Sequence, residues 1–362
     1  MKHLTSLSTA VTVAAVIGLT TVPSTNGFSI STPRVTTSSL GSGIAGTSSK
    51  PGLFHKRQQS RTVDTSLLAS AGAAPETNYE KKKKTLKELR KEGGIFTVNT
   101  PIGALNPFAL YYFFVSVALG IPWVVLCKMC QFLTWATGGR FDPTNRVPIT
   151  IGHCWGMALL RLTRCYPEIK NREIITEFFK KNKGEKANNA MFVANHCSWM
   201  DIPFLGAVMG WRNYKIVAKK ELGIVPILGT AIRAGGHIMV DRTDRRSQIK
   251  TLKQGINYLK KDKFNVATFP EGTRSRSGRV MGFKAGAFKM AHKAGAPVIP
   301  ISIINSDKVM PLGWMMAMRS GYGVSEVVVH PPVSSHDKTE EELVQAVREA
   351  MISGLPEHQK PL

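Results

Sequence analysis

From about residue 140 to the C-terminus, short apolar runs alternate with stretches in which apolar residues recur at helical spacing. Ala190–Asn195, His237–Val240, Phe264–Phe269, Pro297–Ile304 and Glu326–His330 are compact runs that suit buried strands. Between them Ile249, Leu252, Ile256 and Leu259 recur every three or four residues, as do Phe283, Ala287, Met290 and Ala291. That period predicts helices, and Gly295 sits where the second should stop. Thr339 followed by Glu340, Glu341 and Glu342 forms a capping box, predicting a last helix through Leu343, Val347 and Met351. No internal repeat is visible. The pattern predicts an α/β domain over 140–362, a single central sheet covered by helices.

Upstream the texture differs. No Asp, Glu, Lys or Arg occurs between Glu92 and Lys128, and Pro107–Cys127 is a 21-residue apolar run. At about 1.5 Å per residue a helix of that length extends about 30 Å, enough to cross the hydrocarbon of a bilayer. Gly120 and Pro122 interrupt it and the uncharged stretch resumes over Met129–Gly139, so 96–139 reads either as one membrane helix or as a helix pair dipping into one leaflet. The aromatic run Tyr111 to Phe114 argues against a buried helix of a soluble protein. Residues 80–95, with Lys81 to Lys84, read as a basic helical stretch that is either solvated or in contact with lipid headgroups. Before Asp64 there is no acidic residue. Lys2 and His3 precede the apolar run Leu4–Val22, and Thr25-Asn26-Gly27 offers small residues for a signal peptidase. Residues 1–27 therefore read as a signal peptide and 28–79 as a disordered, transit-peptide-like segment, the alternative being a plain secretory signal or anchor followed by a linker.

Composition narrows the partners. There are 48 Lys or Arg against 24 Asp or Glu, a formal charge of +24, and 43% of residues are apolar, which excludes disorder for most of the chain. Thirteen of those cations and five of the acids fall at or before Glu92, so two-thirds of the excess belongs to the folded part. Such a charge suits nucleic acid, an anionic membrane or an anionic substrate. No basic stripe with interleaved aromatics of the single-strand-binding kind is present, which argues against nucleic acid. The five cysteines are scattered, and no second C-x-x-C accompanies Cys127 and Cys130, so neither a disulfide framework nor a structural zinc site is expected.

Three segments stand at predicted strand ends. In Asn195-His196-Cys197-Ser198-Trp199-Met200-Asp201, the histidine and aspartate are five positions apart. On a regular helix their side chains would diverge by about 140°, so they meet only if His196 lies on a turn and Asp201 opens a helix. Held that way, an imidazole can act as general base toward a hydroxyl, whereas H-x-x-x-x-D alone also describes ordinary surface or cap residues. Phe269-Pro270-Glu271-Gly272-Thr273-Arg274-Ser275 offers backbone N–H groups and a guanidinium fork, the makings of an anion site or of an ordinary glycine turn. Gly235-Gly236-His237-Ile238-Met239-Val240-Asp241-Arg242 delivers a second arginine, or a surface Asp–Arg pair.

With Val298–Ile301, these segments occur in the order and approximate spacing of the four motifs of the glycerolipid acyltransferases, and the chain resembles the 1-acyl-sn-glycerol-3-phosphate acyltransferases over about 140–362. The resemblance implies a glycerol-phosphate acyltransferase-like fold with His196 as catalytic base and Asp201 as its partner. It implies that Gly236, Arg242, Glu271, Gly272, Thr273 and Arg274 line the acceptor site, that Lys219 and Lys284 stand near its phosphate, and that Val298–Ile301 lie on the acyl-donor side. His237 departs from the usual motif, where an apolar residue is common. The implied reaction acylates the sn-2 hydroxyl of lysophosphatidic acid, on a lipid bilayer, from an acyl-carrier-protein or coenzyme A thioester, with no metal or other cofactor; the alternatives are an acyltransferase for glycerol 3-phosphate or another lysophospholipid, or a non-catalytic basic membrane-binding protein. Cys197, beside the histidine, is expected to be a small filler, not a nucleophile. The leader resembles the two-part presequence of algae whose plastids derive from a red alga, implying a plastid envelope membrane, with the endoplasmic reticulum as the alternative.

Overall fold

Local signals open the first of the described elements. In the computed structural model, which describes residues 84–101, 103–181, 189–260 and 264–362 without the side chains of Pro226 and Ile227, Thr85 and Glu88 form a capping box for helix α1 (Leu86–Gly93). The expected signal peptide, the transit-like segment and the head of the basic stretch lie outside the described residues. An antiparallel hairpin, β1 (Val98–Thr100) and β2 (Gly103–Leu105), follows and leads into α2 (Pro107–Ala136). Asn106 caps α2 through Ala109 N–H, at 2.8 Å, and its amide donates to the carbonyls of Gly93 and Met318 at 2.9 and 2.8 Å, pinning the helix start to the domain.

The 96–139 region thus contains one continuous helix, not a pair. α2 passes through Gly120 and Pro122 without a break and has a mean hydropathy of 2.0 in its most apolar 18-residue window. Its 30 residues extend about 45 Å. Only 17% of that window is buried, which separates α2 from a core helix, and Phe114, Ile121, Phe132 and Trp135 stand exposed. Its inner side packs on the domain through Tyr112 and a stacked Trp123–Trp155 pair 4.4 Å apart.

Beyond it come α3 (Arg146–Leu162), β3 (Glu168–Lys170), α4 (Arg172–Lys181), β4 (Met191–Ala194), α5 (Asp201–Met209), β5 (Tyr214–Lys219), α6 (Pro226–Ala234), β6 (Ile238–Val240), α7 (Arg245–Lys260) and β7 (Asn265–Thr268). The chain ends with α8 (Ala285–Ala294), β8 (Val298–Ile304), the single turn α9 (Ser306–Val309), β9 (Glu326–Val329) and α10 (Glu340–Ser353). The predicted apolar runs are all strands of one sheet, ordered β3-β9-β8-β4-β7-β5-β6 and parallel except where β9 runs against β8. β3 and β5 are strands that the apolar pattern does not announce. β3 is three residues long, and β5 hides a charge: Lys215 is 1% exposed, its ammonium donating to the carbonyls of Thr144 and Gly235, each at 2.9 Å.

Alternation along the strands builds two helix layers. Phe192, Ala194, Ala267 and Ile301 face α3, α5 and the inner side of α2; Met191, Val193, Val266 and Val298 face α7, α8 and α10. Leu343, fully buried on α10, should cost about 2–5 kcal/mol when cut to Ala. Removing the cap with Thr339→Ala should cost only about 1 kcal/mol. Denaturant melts of the two variants in detergent check this order, and an equal loss for both would contradict the packing described.

Candidate active site

β4 carries Asn195 and His196 to its carboxyl end. Asn195 fastens that end to β8, its amide donating to Ile303 O at 2.9 Å and its Oδ1 accepting from Ile303 N at 2.7 Å. His196 lies in the turn that follows, and Asp201 opens α5. The two side chains meet, Nδ1 to Oδ2, at 2.7 Å. The same Oδ2 accepts the backbone N–H groups of Cys197 and Ser198, each at 2.8 Å, while Oδ1 accepts the hydroxyl of Ser306 from α9. Asp201 is 0% exposed, and these donors replace the water it has lost. Because every other contact to this carboxylate is a donor, Nδ1 carries the ring proton. Nε2 has no hydrogen-bond partner among the described residues and presents its lone pair. The ring lies flat on Phe269, with centroids 4.1 Å apart.

β7 delivers the second segment beside the first, since β7 and β4 are neighbours in the sheet. Ser275 N–H donates to His196 O at 2.7 Å. Arg274 stacks its guanidinium on Trp199, 4.7 Å from the ring centroid. Burial lowers its pKa while the charge of Asp201 acts in the opposite sense, and its N–H fork has no hydrogen-bond acceptor among the described residues. Arg242, beyond the end of β6, donates through Nη1 to Gly272 O. Gly272 has φ +73°, and a Cβ there would stand 2.9 Å from the ammonium of Lys284, so a side chain would be both strained and in the way. Thr273 is exposed, and Lys219 ends β5 with Glu221 3.3 Å away. His196, Lys219, Arg242, Gly272, Thr273, Arg274 and Lys284 thus share one end of the sheet, the carboxyl end of parallel strands, where open α/β folds bind ligands.

Two residues implied for the acceptor site sit elsewhere. Gly236 precedes β6 and lies at its amino end, against Asn145, so the length of the strand separates it from Arg242. Glu271 belongs to the right loop but is 3% exposed, with both carboxylate oxygens taken by backbone donors: Oε1 accepts from His196 N at 2.7 Å and Oε2 from Met281 N at 3.0 Å. Buried and held by a donor on each oxygen, it braces the turn that carries His196. Val298–Ile301 are buried in β8 between β4 and β9. Cys197 is 2% exposed, burial pushing its thiol well above the usual range, which leaves it inert. Among the described residues no group of His, Cys, Asp and Glu could hold a metal ion.

The motifs alone did not point to Phe269, Trp199 or Ser306. Phe269 and Trp199 lie inside the quoted segments, where their size was the available signal; Ser306, 105 residues beyond Asp201, had none. His237 accepts Ile216 N–H at 3.1 Å, and burial beside the Lys215 cation pushes its pKa down to about 3, so it is a neutral core imidazole. It faces an apolar cavity between α3, α5, α6 and β5, lined also by Gly156, Ile202, Pro203 and Tyr214.

Residues 168–304 match a family model described as Acyltransferase. The chain is 36% identical over 182 residues to a 1-acyl-sn-glycerol-3-phosphate acyltransferase of Chlamydomonas reinhardtii, covering 50% of this chain and 53% of that one. It is 38% identical over 144 residues to a chloroplastic enzyme of the same description from Arabidopsis thaliana, covering 40% and 39%. With that of Salmonella typhimurium it shares 30% identity over 194 residues, 53% of this chain and 73% of the other. The chain thus spans about half or less of the length of these algal and Arabidopsis relatives. Among solved structures, the 1-acyl-sn-glycerophosphate (LPA) acyltransferase of Thermotoga maritima superposes with a TM-score of 0.54 at 25% identity, covering 68% of this chain and 92% of that one.

Glu271 makes the site sensitive to pH. Burial lifts its pKa from an ordinary 4.5 to about 7, against the pull of its two backbone donors. The folded state then holds this proton more tightly than the unfolded chain. Its contribution to stability is fully present below about pH 4.5 and is lost as the pH rises through about 7, a span worth roughly 3 kcal/mol. Glu271→Gln, which cannot titrate, should abolish that slope and be destabilising chiefly below about pH 4.5, where the native carboxyl is already neutral and one backbone donor loses its acceptor. Melting curves between pH 4.5 and 8 test it, and parallel profiles for the two proteins would refute it.

Proposed function

Because the chain belongs to the 1-acyl-sn-glycerol-3-phosphate acyltransferase family, we propose that it transfers a fatty acyl group from a thioester to the sn-2 hydroxyl of 1-acyl-glycerol 3-phosphate, giving phosphatidic acid. The observation that carries this reading is the unpartnered Nε2 of an imidazole fixed by a buried aspartate beside a cationic loop. Nε2 takes the hydroxyl proton as that oxygen attacks the thioester carbonyl carbon. The tetrahedral intermediate collapses, the carbon–sulfur bond breaks, and the imidazolium returns its proton to the leaving thiolate. Asp201 stabilises the imidazolium between these steps and keeps the ring from rotating. The phosphate of the acceptor would lie against the free fork of Arg274, with Arg242, Lys284 and Lys219 adding positive potential. No metal or prosthetic group enters this reaction; the donor is an acyl-carrier-protein or coenzyme A thioester, used as co-substrate.

Both lipids are confined to a membrane, and the exposed apolar surface of α2 fits a bilayer. The presequence pattern, together with relatives described as chloroplastic, supports placing that membrane in a plastid. The apolar cavity suits an acyl chain: its wall includes Ile202 and Pro203, the residues that directly follow Asp201.

In liposomes, the enzyme should acylate lysophosphatidic acid faster than lysophosphatidylcholine or glycerol 3-phosphate, and His196→Ala should lose about 10²-fold or more in turnover. Faster use of lysophosphatidylcholine would overturn the acceptor assignment. Gly156 lines the cavity and has nothing within 4 Å of an added Cβ, so a side chain there starts into open space, and Gly156→Leu should narrow the cavity and shift donor preference toward shorter chains. An unchanged chain-length profile would remove the cavity from the substrate path.

A further inference from the structure

Helix α7 spans 16 residues and carries Arg245, Arg246, Lys250, Lys253 and Lys260 without a single acid. All five are exposed, and none of their side chains makes a hydrogen bond or ion pair among the described residues. Cations elsewhere on the surface, such as Lys170, Lys289 and Lys360, sit beside carboxylates. Arg246, Lys250, Lys253 and Lys260 fall at intervals of four, three and seven, so they form one stripe, about 21 Å long at 1.5 Å per residue. Like charges at these spacings repel, so the stripe costs the isolated helix stability. The opposite side of α7 is used for the core, with Thr251, Gly255 and Leu259 buried.

The stripe begins where the candidate site ends. Gln248 of α7 donates to Arg242 O at 2.7 Å, Ser247 Oγ accepts from Asp241 N at 3.0 Å, and the Arg242 guanidinium reaches Gly272 O. It also lies in the helix layer opposite α2. Leu259 of α7 packs with α8 and α10 on one face of the sheet, while Ala109 and Tyr112 of α2 pack with α3 and α5 on the other. With α2 on a bilayer, α7 is turned to water, so an anionic membrane is not its natural occupant.

We propose that the exposed basic face of α7 is the docking surface for a soluble acidic carrier protein, which presents its acyl thioester on a flexible arm to His196. The inference rests on the acyltransferase reading above and names the donor for it. Charge complementarity selects the partner: cations spread over about 21 Å match charges distributed along a protein surface better than the phosphates clustered on the nucleotide end of a coenzyme A, and opposite potentials raise encounter rates in a salt-dependent way.

The test uses the full chain in phosphatidylcholine liposomes with lysophosphatidic acid, and palmitoyl carrier protein or palmitoyl-CoA as donor. The combined variant Arg246→Glu, Lys250→Glu and Lys253→Glu should raise the KM for palmitoyl carrier protein about tenfold or more. It should leave kcat at saturating carrier and the KM for palmitoyl-CoA unchanged, which also reports that the variant is folded. Added salt should raise the carrier KM of the wild type but not of the variant. An unchanged carrier KM, an equal rise for both donors, or wild-type turnover with palmitoyl-CoA alone would overturn the proposal. So would loss of liposome co-sedimentation by the variant, which would make the stripe a membrane contact. Wild-type protein that acylates lysophosphatidic acid from neither donor would overturn the functional reading itself, whereas the preceding outcomes leave that reading standing.

Discussion

A carboxylate with no access to water organises this protein's candidate site. Asp201 is tolerated in the core because donors from three places converge on it: the His196 ring, two successive backbone N–H groups of the same turn, and the Ser306 hydroxyl from beyond β8. Removing one partner from a buried charge typically costs about 3–5 kcal/mol, so the turn, the opening of α5 and the end of β8 hold one another in register. Position in the helix helps, since a negative charge in the first turn faces the positive end of the macrodipole. The imidazole is thereby given one tautomer and one orientation without any residue being dedicated to that alone.

A second buried carboxylate plays the complementary part. Glu271 links the His196 turn to the segment at Met281, and its raised pKa measures how strongly burial opposes its charge. Outward from these braces stand the cations Arg242, Arg274, Lys219 and Lys284. Arg274 is supported by an aromatic face instead of an acid, which leaves its hydrogen-bonding capacity unspent. Rigid acids inside and available bases outside is the arrangement an anionic acceptor requires, and it gives part of the chain's large positive charge a local use.

The sheet also divides the molecule's surroundings. Its two helix layers differ in what they show the solvent: one carries α2 with its exposed aromatics, the other carries α7 with its exposed cations. In the proposed orientation an insoluble acceptor and a soluble donor approach from different media and meet at the carboxyl ends of β4, β7, β5 and β6. The topology supplies that meeting place, because parallel strands put all their carboxyl ends on one side.

What the residues fixed by themselves was local. Apolar runs located β4, β6, β7, β8 and β9, helical periodicity located α7 and α8, Gly295 and the Thr339 capping box marked helix ends, and the spacing of His196 and Asp201 stated the only geometry in which they could meet. Each of these depends on neighbours within about one or two turns. Tertiary structure decided the rest, because it turns on strand order and burial. Lys215 concealed β5 until the carbonyls of Thr144 and Gly235 were there to receive it. Pro122 left α2 unbroken, and Gly236 fell at the wrong end of β6 for a ligand shared with Arg242. Glu271 became a brace because the fold buried it against two backbone donors. Ser306 joined Asp201 only because β8 lies beside β4, a pairing across more than a hundred residues that no short-range pattern encodes.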